Sequence, residues 1–121
     1  METRDSGSLP ESARQAFEKV EAFERHKIEV QERGLPALQR LADNALGYTH
    51  QPHHIRRILL ATYNGEAWPL DLTRLRRLDA DLIADALTVI EWSTYADAEL
   101  FEYLPDGDRF MQQLATIERE P

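Results

Sequence analysis

Apolar residues recur at spacings of three and four along most of this chain, and no run alternates with a period of two. The clearest case lies between Ala80 and Trp92, where Leu82, Ile83, Ala86, Leu87 and Ile90 share one helical face. Half-buried strands would require alternation, so we predict an all-α fold. With 121 residues, the chain is expected to form a single domain, residues 1–121, of about six helices with a long N-terminal helix.

The first helix is predicted to begin at a capping box, Ser8-Leu9-Pro10-Glu11. We expect it to end at Arg33, because Gly34 is a typical helix stop. This divides the domain into a flexible terminus (residues 1–7), a long first helix (8–33) and a helical core (34–118).

The first helix carries a narrow apolar seam at heptad spacing. Its candidate positions are Ala13, Ala16, Val20, Phe23 and Val30, with Leu9 extending the seam and Lys27 interrupting it. One interpretation is a surface helix packed on its own domain. The other is a helix that pairs with a second copy or a partner, in which case Lys19 and Glu24 are placed to pair across parallel helices. If the chain forms a homodimer, this helix is the expected interface.

Cap and turn signals divide the remaining sequence. Asn64-Gly65 is predicted to stop a helix, with Gly65 in the left-handed conformation, so that Gly65→Val would destabilise the fold. A second helix is predicted over about Leu35–Leu46, and another is expected to begin with Pro52 in its first turn. Further helices, short or long, are predicted to be capped by Asp71 or Thr73, by Asp79, by Asp97 and by Asp108.

Several of these signals together resemble an uncharacterised family of small proteins from proteobacterial plasmids and integrated mobile elements. They are Tyr63-Asn64-Gly65, Trp68 to Thr73, Leu75-Arg76, Leu78-Asp79 and Glu102 to Pro105. The resemblance covers roughly residues 35–117 and leaves out the first helix. It implies a bacterial host and a mobile-element setting, and it supplies no activity, cofactor or catalytic residue.

Three histidines, His50, His53 and His54, cluster at the start of one predicted helix. Zinc accepts imidazole nitrogens, but Pro52 is expected to break the helix between His50 and the other two. We therefore interpret them as exposed loop and first-turn residues, and we predict no metal and no cofactor.

The middle third is locally basic. Residues 34–78 hold six bases and three acids, whereas residues 79–121 hold two bases and eleven acids. The candidate interaction surface consists of Arg56, Arg57, Trp68, Arg74, Arg76 and Arg77. It fits a protein-binding surface anchored by Trp and Arg, a nucleic-acid contact, or a face that pairs with the acidic C-terminal third.

The acidic run from Asp79 to Asp108 has two interpretations. It supplies helix caps and a solvated face, or it imitates nucleic-acid phosphates. The Asp106-Gly107-Asp108 turn lacks the ligand spacing of an EF-hand loop.

Composition narrows the function classes. The net charge of −8 disfavours nonspecific nucleic-acid binding. No apolar run spans a bilayer, and the absence of cysteine fits a cytoplasmic protein. There is no phosphate loop, GxSxG or HExxH motif. We predict a non-enzymatic helical interaction protein with another protein as partner. The alternatives are an acidic nucleic-acid mimic and a nucleic-acid binder using the arginine cluster.

Overall fold

The computed structural model describes residues 9–47 and 50–120, and within them the chain forms four α-helices and two short 3-10 helices, labelled η. In chain order these are α1 (Glu11–Asp43), α2 (His50–Tyr63), η1 (Leu72–Arg77), α3 (Ala80–Ser93), η2 (Leu100–Tyr103) and α4 (Gly107–Arg119). No strand occurs in these ranges, so the prediction of an all-α domain with a long first helix is confirmed. The terminus predicted for residues 1–7 and the Ser8 cap lie outside the described residues.

The first helix is longer than predicted. It continues through Gly34 and Pro36 to Asp43, over 33 residues, or about 50 Å. The predicted boundary after Arg33 is therefore wrong, and the expected second helix is the C-terminal part of α1. A proline inside a helix removes one backbone hydrogen bond, but the apolar face continues in phase on both sides of it. The buried side chains of Val30, Leu38 and Leu41 hold both segments on one core.

Gly34 does not end α1. It allows α1 to pack closely against α3 instead. A Cβ at this position would lie 2.6 Å from Cε3 of Trp92 on α3. The indole of Trp92 is 1% exposed and also packs against the ring of Tyr103, with centroids 4.9 Å apart. The bare backbone at Gly34 thus lets α1 and α3 approach each other around the largest fully buried side chain of the core.

The rest of the core is built from two helix pairs. α1 packs most extensively on α3, and α2 packs on α4, with η1 and η2 closing the gaps between them. The fully buried large side chains shared by these elements are Leu38, Leu41, Ile55, Ile58, Leu59, Leu60, Val89, Trp92, Met111 and Leu114.

Of two helix caps predicted at Asp71 and Asp79, the side-chain cap is found at Asp71 and not at Asp79. The Asp71 carboxylate accepts a hydrogen bond from the Thr73 backbone N–H at 2.9 Å and begins η1, as predicted. Asp79 precedes α3 but does not cap it through its side chain. Instead its N–H donates to Oε1 of Gln51 at 2.7 Å, which ties the start of α3 to the first turn of α2.

Two other local predictions are wrong in detail. The short helix expected from Ala98 begins at Leu100, where Glu102 accepts a hydrogen bond from the N–H of Glu99 at 3.1 Å. α2 does end at Tyr63, but Gly65 does not have a positive φ, so the expected strain of Gly65→Val has no basis in its backbone conformation. The left-handed residue of the described ranges is Asp106, with φ 51°, just before α4.

Gly107 directly follows Asp106, and it lies very close to the backbone of η2. A Cβ at this position would lie 1.7 Å from the carbonyl oxygen of Phe101 in η2. Backbone atoms cannot rotate away as a side chain can, so the methyl group would force η2 and α4 apart.

We expect Gly107→Ala to lower the free energy of unfolding by about 1–3 kcal/mol, the usual cost of overpacking. Urea denaturation followed by circular dichroism measures this change. Gly65→Ala is the matched control, because its Cβ would lie 3.3 Å from the Ala61 carbonyl oxygen, a close contact that a shift of a few tenths of an ångström relieves. Equal stability of the two variants would show that η2 and α4 move apart without cost.

Candidate interaction surfaces

The predicted seam of α1 is divided by the fold into a buried end and an exposed end. Val30 is fully buried in the core. Toward the N-terminus, Phe23 is 48% exposed and Val20 is 59% exposed, and Ala16 is also exposed while Ala13 is half-buried. Residues 11–26 are exposed apart from Ala13, so the N-terminal half of α1 projects beyond the helices that cover its C-terminal half.

The point where α1 leaves the domain is fixed by the chain that follows α3. The ring of Phe23 meets the ring of Tyr95 edge-to-face at 5.5 Å. His26 Nε2 lies 2.7 Å from Glu91, and Lys27 Nζ lies 3.7 Å from Asp97. Lys27, which interrupts the seam in the sequence, is therefore a docking residue for the domain itself.

Hydrogen bonding at this junction involves the phenol of Tyr95. Its hydroxyl donates to the Glu91 carboxylate at 2.8 Å. Burial, together with this bond, raises the pKa of Tyr95 to about 12, and hydrogen bonds from His26 and Tyr95 lower the pKa of Glu91. Polar contacts thus surround the Phe23–Tyr95 contact, and we call their residues, His26, Lys27, Glu91, Tyr95 and Asp97, the clasp.

Beside the clasp runs a groove of about 310 Å³ between α1 and the end of α3. Its apolar lining includes Ile28, Leu35, Trp92 and Tyr95. Ile28 is 61% exposed and Phe17, one turn before Val20, is 64% exposed. Neither residue belongs to the predicted seam, because Phe17 lies just beside it and Ile28 lies outside the heptad positions. We call the exposed apolar residues Leu9, Phe17, Val20, Phe23 and Ile28 the α1 ridge.

Two arginines of the other candidate surface bind a single carboxylate on α4. Arg56 Nε donates to Glu118 at 2.8 Å and Arg57 Nε donates to it at 2.6 Å. Arg56 is buried, and its Nη1 also donates to the carbonyls of Ala45 and Gly47. These contacts join α2, α4 and the end of α1. They favour the interpretation in which the basic segment pairs with the acidic C-terminal third.

Trp68 is part of the same cluster rather than a free aromatic anchor. It is 8% exposed. The guanidinium of Arg57 lies 4.8 Å from its ring centroid, and that of Arg119 lies 5.3 Å from it. Cations that lie over an aromatic ring stabilise it electrostatically, and here they also cover the ring. Base stacking on Trp68 would require displacing them.

The histidines lie on one helix, contrary to the predicted break at Pro52. α2 begins at His50 because Pro52 falls in its first turn, where a missing N–H costs little. His53 Nδ1 lies 3.0 Å from Glu118, and Arg74 Nη1 lies 3.0 Å from His54 Nδ1. Burial and the charge of Arg74 lower the pKa of His54, which favours the neutral imidazole that accepts a hydrogen bond from the guanidinium.

Of the remaining arginines of the candidate surface, two face solvent and one is half-buried. Arg76 and Arg77 are exposed on η1, next to the half-buried Arg74. Among the described residues, no carboxylate lies within ion-pair distance of these three guanidinium groups. The structure therefore separates the six predicted residues into a buried structural group and an exposed basic group.

The acidic run is likewise partly used by the fold. Asp85 is buried and forms two hydrogen bonds with Arg40, both at 2.9 Å. Asp108 accepts a hydrogen bond from the Tyr63 hydroxyl at 2.7 Å. Several of the eleven acids of this third are thus fixed on neighbouring helices rather than arrayed toward solvent.

Neither a group of metal ligands nor a membrane-spanning helix is found in the described part of the chain. No three His, Cys, Asp or Glu side chains within residues 9–47 and 50–120 are grouped so that they could hold a metal ion. None of the helices there combines the length and the apolar character needed to cross a bilayer.

Comparison with protein families matches residues 35–119 to DUF7673, described as a family of unknown function. The chain belongs to this family. No curated protein and no solved structure matches it. The matched segment of this DUF7673 protein contains the Glu118 cluster, Trp92 and α2 to α4, but it begins inside α1. Gly34 and the whole α1 ridge lie outside the matched residues.

The stability of the folded domain is expected to depend on pH through the carboxyl group of Glu118. Burial of the carboxyl would raise its pKa, but hydrogen bonds from Arg57, His53 and Arg56 outweigh burial and lower the pKa to about 2. A lowered pKa means that the charged form stabilises the folded state above the unfolded value near 4.5. That contribution is lost as the pH falls from about 4.5 to 2.

We expect Glu118→Gln to lower the free energy of unfolding at pH 7 by about 3 kcal/mol, because the partners of a buried charge are left uncompensated. The difference from wild type should shrink between pH 4.5 and pH 2.5, measured by urea denaturation. Glu120→Gln, at an exposed position of the same segment, should change little at any pH. A Glu118→Gln variant as stable as Glu120→Gln at pH 7 would contradict a stabilising role for the cluster.

Proposed function

We propose that this DUF7673 protein is a non-enzymatic interaction protein that binds a partner helix along the α1 ridge. The proposal rests chiefly on one observation, the projection of an apolar-striped half-helix beyond its own domain. Single exposed apolar residues are common on protein surfaces. Here Phe17, Val20 and Phe23 lie on one exposed segment, with Leu9 before it and Ile28 just after it, so the five form a continuous feature.

The energetics of an exposed helix support this proposal. Residues 11–22 form three turns with almost no tertiary burial. Isolated helices shorter than about 12–15 residues are marginal in water. Packing of Phe17 and Val20 against another helix would stabilise this segment, because each fully buried side chain of this kind contributes about 1.5–3 kcal/mol.

The polar clusters of the domain are consistent with a non-enzymatic role. The Glu118 cluster and the Arg40–Asp85 pair both join helices, and their charges compensate each other. The acidic-mimic alternative draws less support, since Asp85 and Asp108 are held in the fold. The bacterial cytoplasm and a mobile-element setting belong to the same proposal and rest on the sequence resemblance and the cysteine-free composition.

A single charge placed on the ridge tests the proposed function. We expect Val20→Glu to abolish capture of a stable partner from lysate of the native host, because the carboxylate would have to be desolvated at the interface. Gln15→Glu is the matched control, since it adds the same charge on the opposite face of the same exposed segment.

Quantitative mass spectrometry compares the three baits, and binding of the purified partner is then measured by titration calorimetry. A partner that binds wild type and Gln15→Glu but not Val20→Glu agrees with the proposal. A partner that binds all three equally would place the interface elsewhere on the domain.

A second candidate function is nucleic-acid binding by the exposed basic group. The specific observation is that Arg74, Arg76 and Arg77 have no ion-pair partner in the described part of the chain. The covered ring of Trp68 leaves phosphate contacts, rather than base stacking, as the available chemistry.

On this second candidate, an Arg76→Glu/Arg77→Glu variant should lose binding to a short DNA duplex or RNA strand in fluorescence anisotropy. Wild-type affinity should fall steeply with salt, because phosphate contacts release counterions. Arg25→Glu/Arg109→Glu is the matched control, because it makes the same change in charge at two exposed positions away from η1. No binding by wild type at low salt would eliminate this function.

A further inference from the structure

We infer that the occupant of the α1 ridge is the ridge of a second copy of this chain, running antiparallel. This inference rests on the proposed function and specifies its partner. Three features support it: the space around the junction with the domain, the pairing of large and small side chains, and the charge and area of the exposed segment.

The junction excludes a parallel pair. Beyond Phe23 the seam side of α1 is covered by its own domain, through Tyr95, Asp97 and the buried Val30. In a parallel pair the second helix would need that same space, and the two domains would collide at one level. The parallel Lys19–Glu24 pairing expected from the sequence is therefore blocked by the fold.

An antiparallel pair avoids this collision. Each copy contributes residues 9–26, and its domain then lies at the far end of the other copy's helix. The register that pairs residues whose numbers sum to 36 places Ala13 opposite Phe23 and Ala16 opposite Val20. Each large side chain then faces a small one, as close packing requires.

The same arrangement covers the most exposed ridge residue. Phe17 lies at the flank of the seam, at heptad position e when Val20 is at a. Antiparallel helices bring e positions opposite each other, so the two Phe17 rings meet across the symmetry axis. Phe23 is covered by Tyr95 on one side and by Ala13 of the second copy on the other.

Charge and area are compatible with self-association. Residues 9–26 hold four acids and three bases, so two copies of the segment repel each other little. Aromatic residues bury about 150–250 Å² each. Four phenylalanines, with Val20 from each copy, approach the roughly 1,000 Å² that a specific interface requires.

Light scattering and sedimentation of the full chain test the second copy. We expect a dimer that Val20→Glu weakens by at least about tenfold and Gln15→Glu leaves unchanged. A monomer at all accessible concentrations, or a dimer indifferent to Val20→Glu, would overturn the inference. Circular dichroism melting verifies that Val20→Glu remains folded, as expected for a residue that is 59% exposed.

Spin labelling tests the antiparallel arrangement, and the cysteine-free chain makes a single label straightforward. A label at Glu29→Cys, on an exposed position, should give an axial separation of about 33 Å in the proposed register, from a rise of 1.5 Å per residue. A parallel pair would hold the two labels level with each other. A short distance between the labels would overturn the antiparallel arrangement.

The failure of this inference is distinguishable from failure of the proposed function. If wild type is monomeric but a host protein binds it and not Val20→Glu, the ridge is an interface for a different helix. If Val20→Glu affects neither self-association nor capture, both proposals are wrong.

Discussion

The packing of Trp92 on Gly34 determines how the rest of the molecule is arranged. The indole is buried between α1 and α3, and the space it occupies is available only because position 34 lacks a Cβ. Its Nε1–H has no hydrogen-bond partner among the described residues, which costs about 1–3 kcal/mol. The surrounding apolar contacts must offset that cost. The contact lies where α1 continues past Gly34 and Pro36, and α1, at 33 residues, is much longer than the 14 residues of α3.

A second constraint is the buried carboxylate of Glu118. A lone buried charge would be unfavourable, but Arg56, Arg57 and His53 surround it and draw α2 onto α4. Arg57 then lies over Trp68, which fixes the segment between α2 and η1. One acid at the end of the chain thereby organises residues that the sequence alone presents as a basic surface.

These two constraints separate the protein into a family segment and an extension. Residues 35–119 match DUF7673 and hold α2 to α4 with their polar cluster. The extension is the part of α1 before Leu35. It packs on the domain through Phe23, Lys27 and Val30, and its residues before Phe23 project beyond the domain. The proposed interaction therefore lies outside the matched residues, whereas the exposed arginines of η1 lie within them.

The sequence by itself determined the helical class, the positions of α2, α3 and α4 to within a residue or two, and the seam on the first helix, because these follow from local periodicity and capping. It did not determine where α1 ends, because Gly34 and Pro36 are stop signals that a buried tryptophan 58 positions later overrides. Nor did it distinguish Arg56 and Arg57 from Arg76 and Arg77, since only the tertiary structure brings Glu118 to the first pair. Contacts between residues distant in sequence decided both points, and local patterns carry no record of which distant residue will be the neighbour.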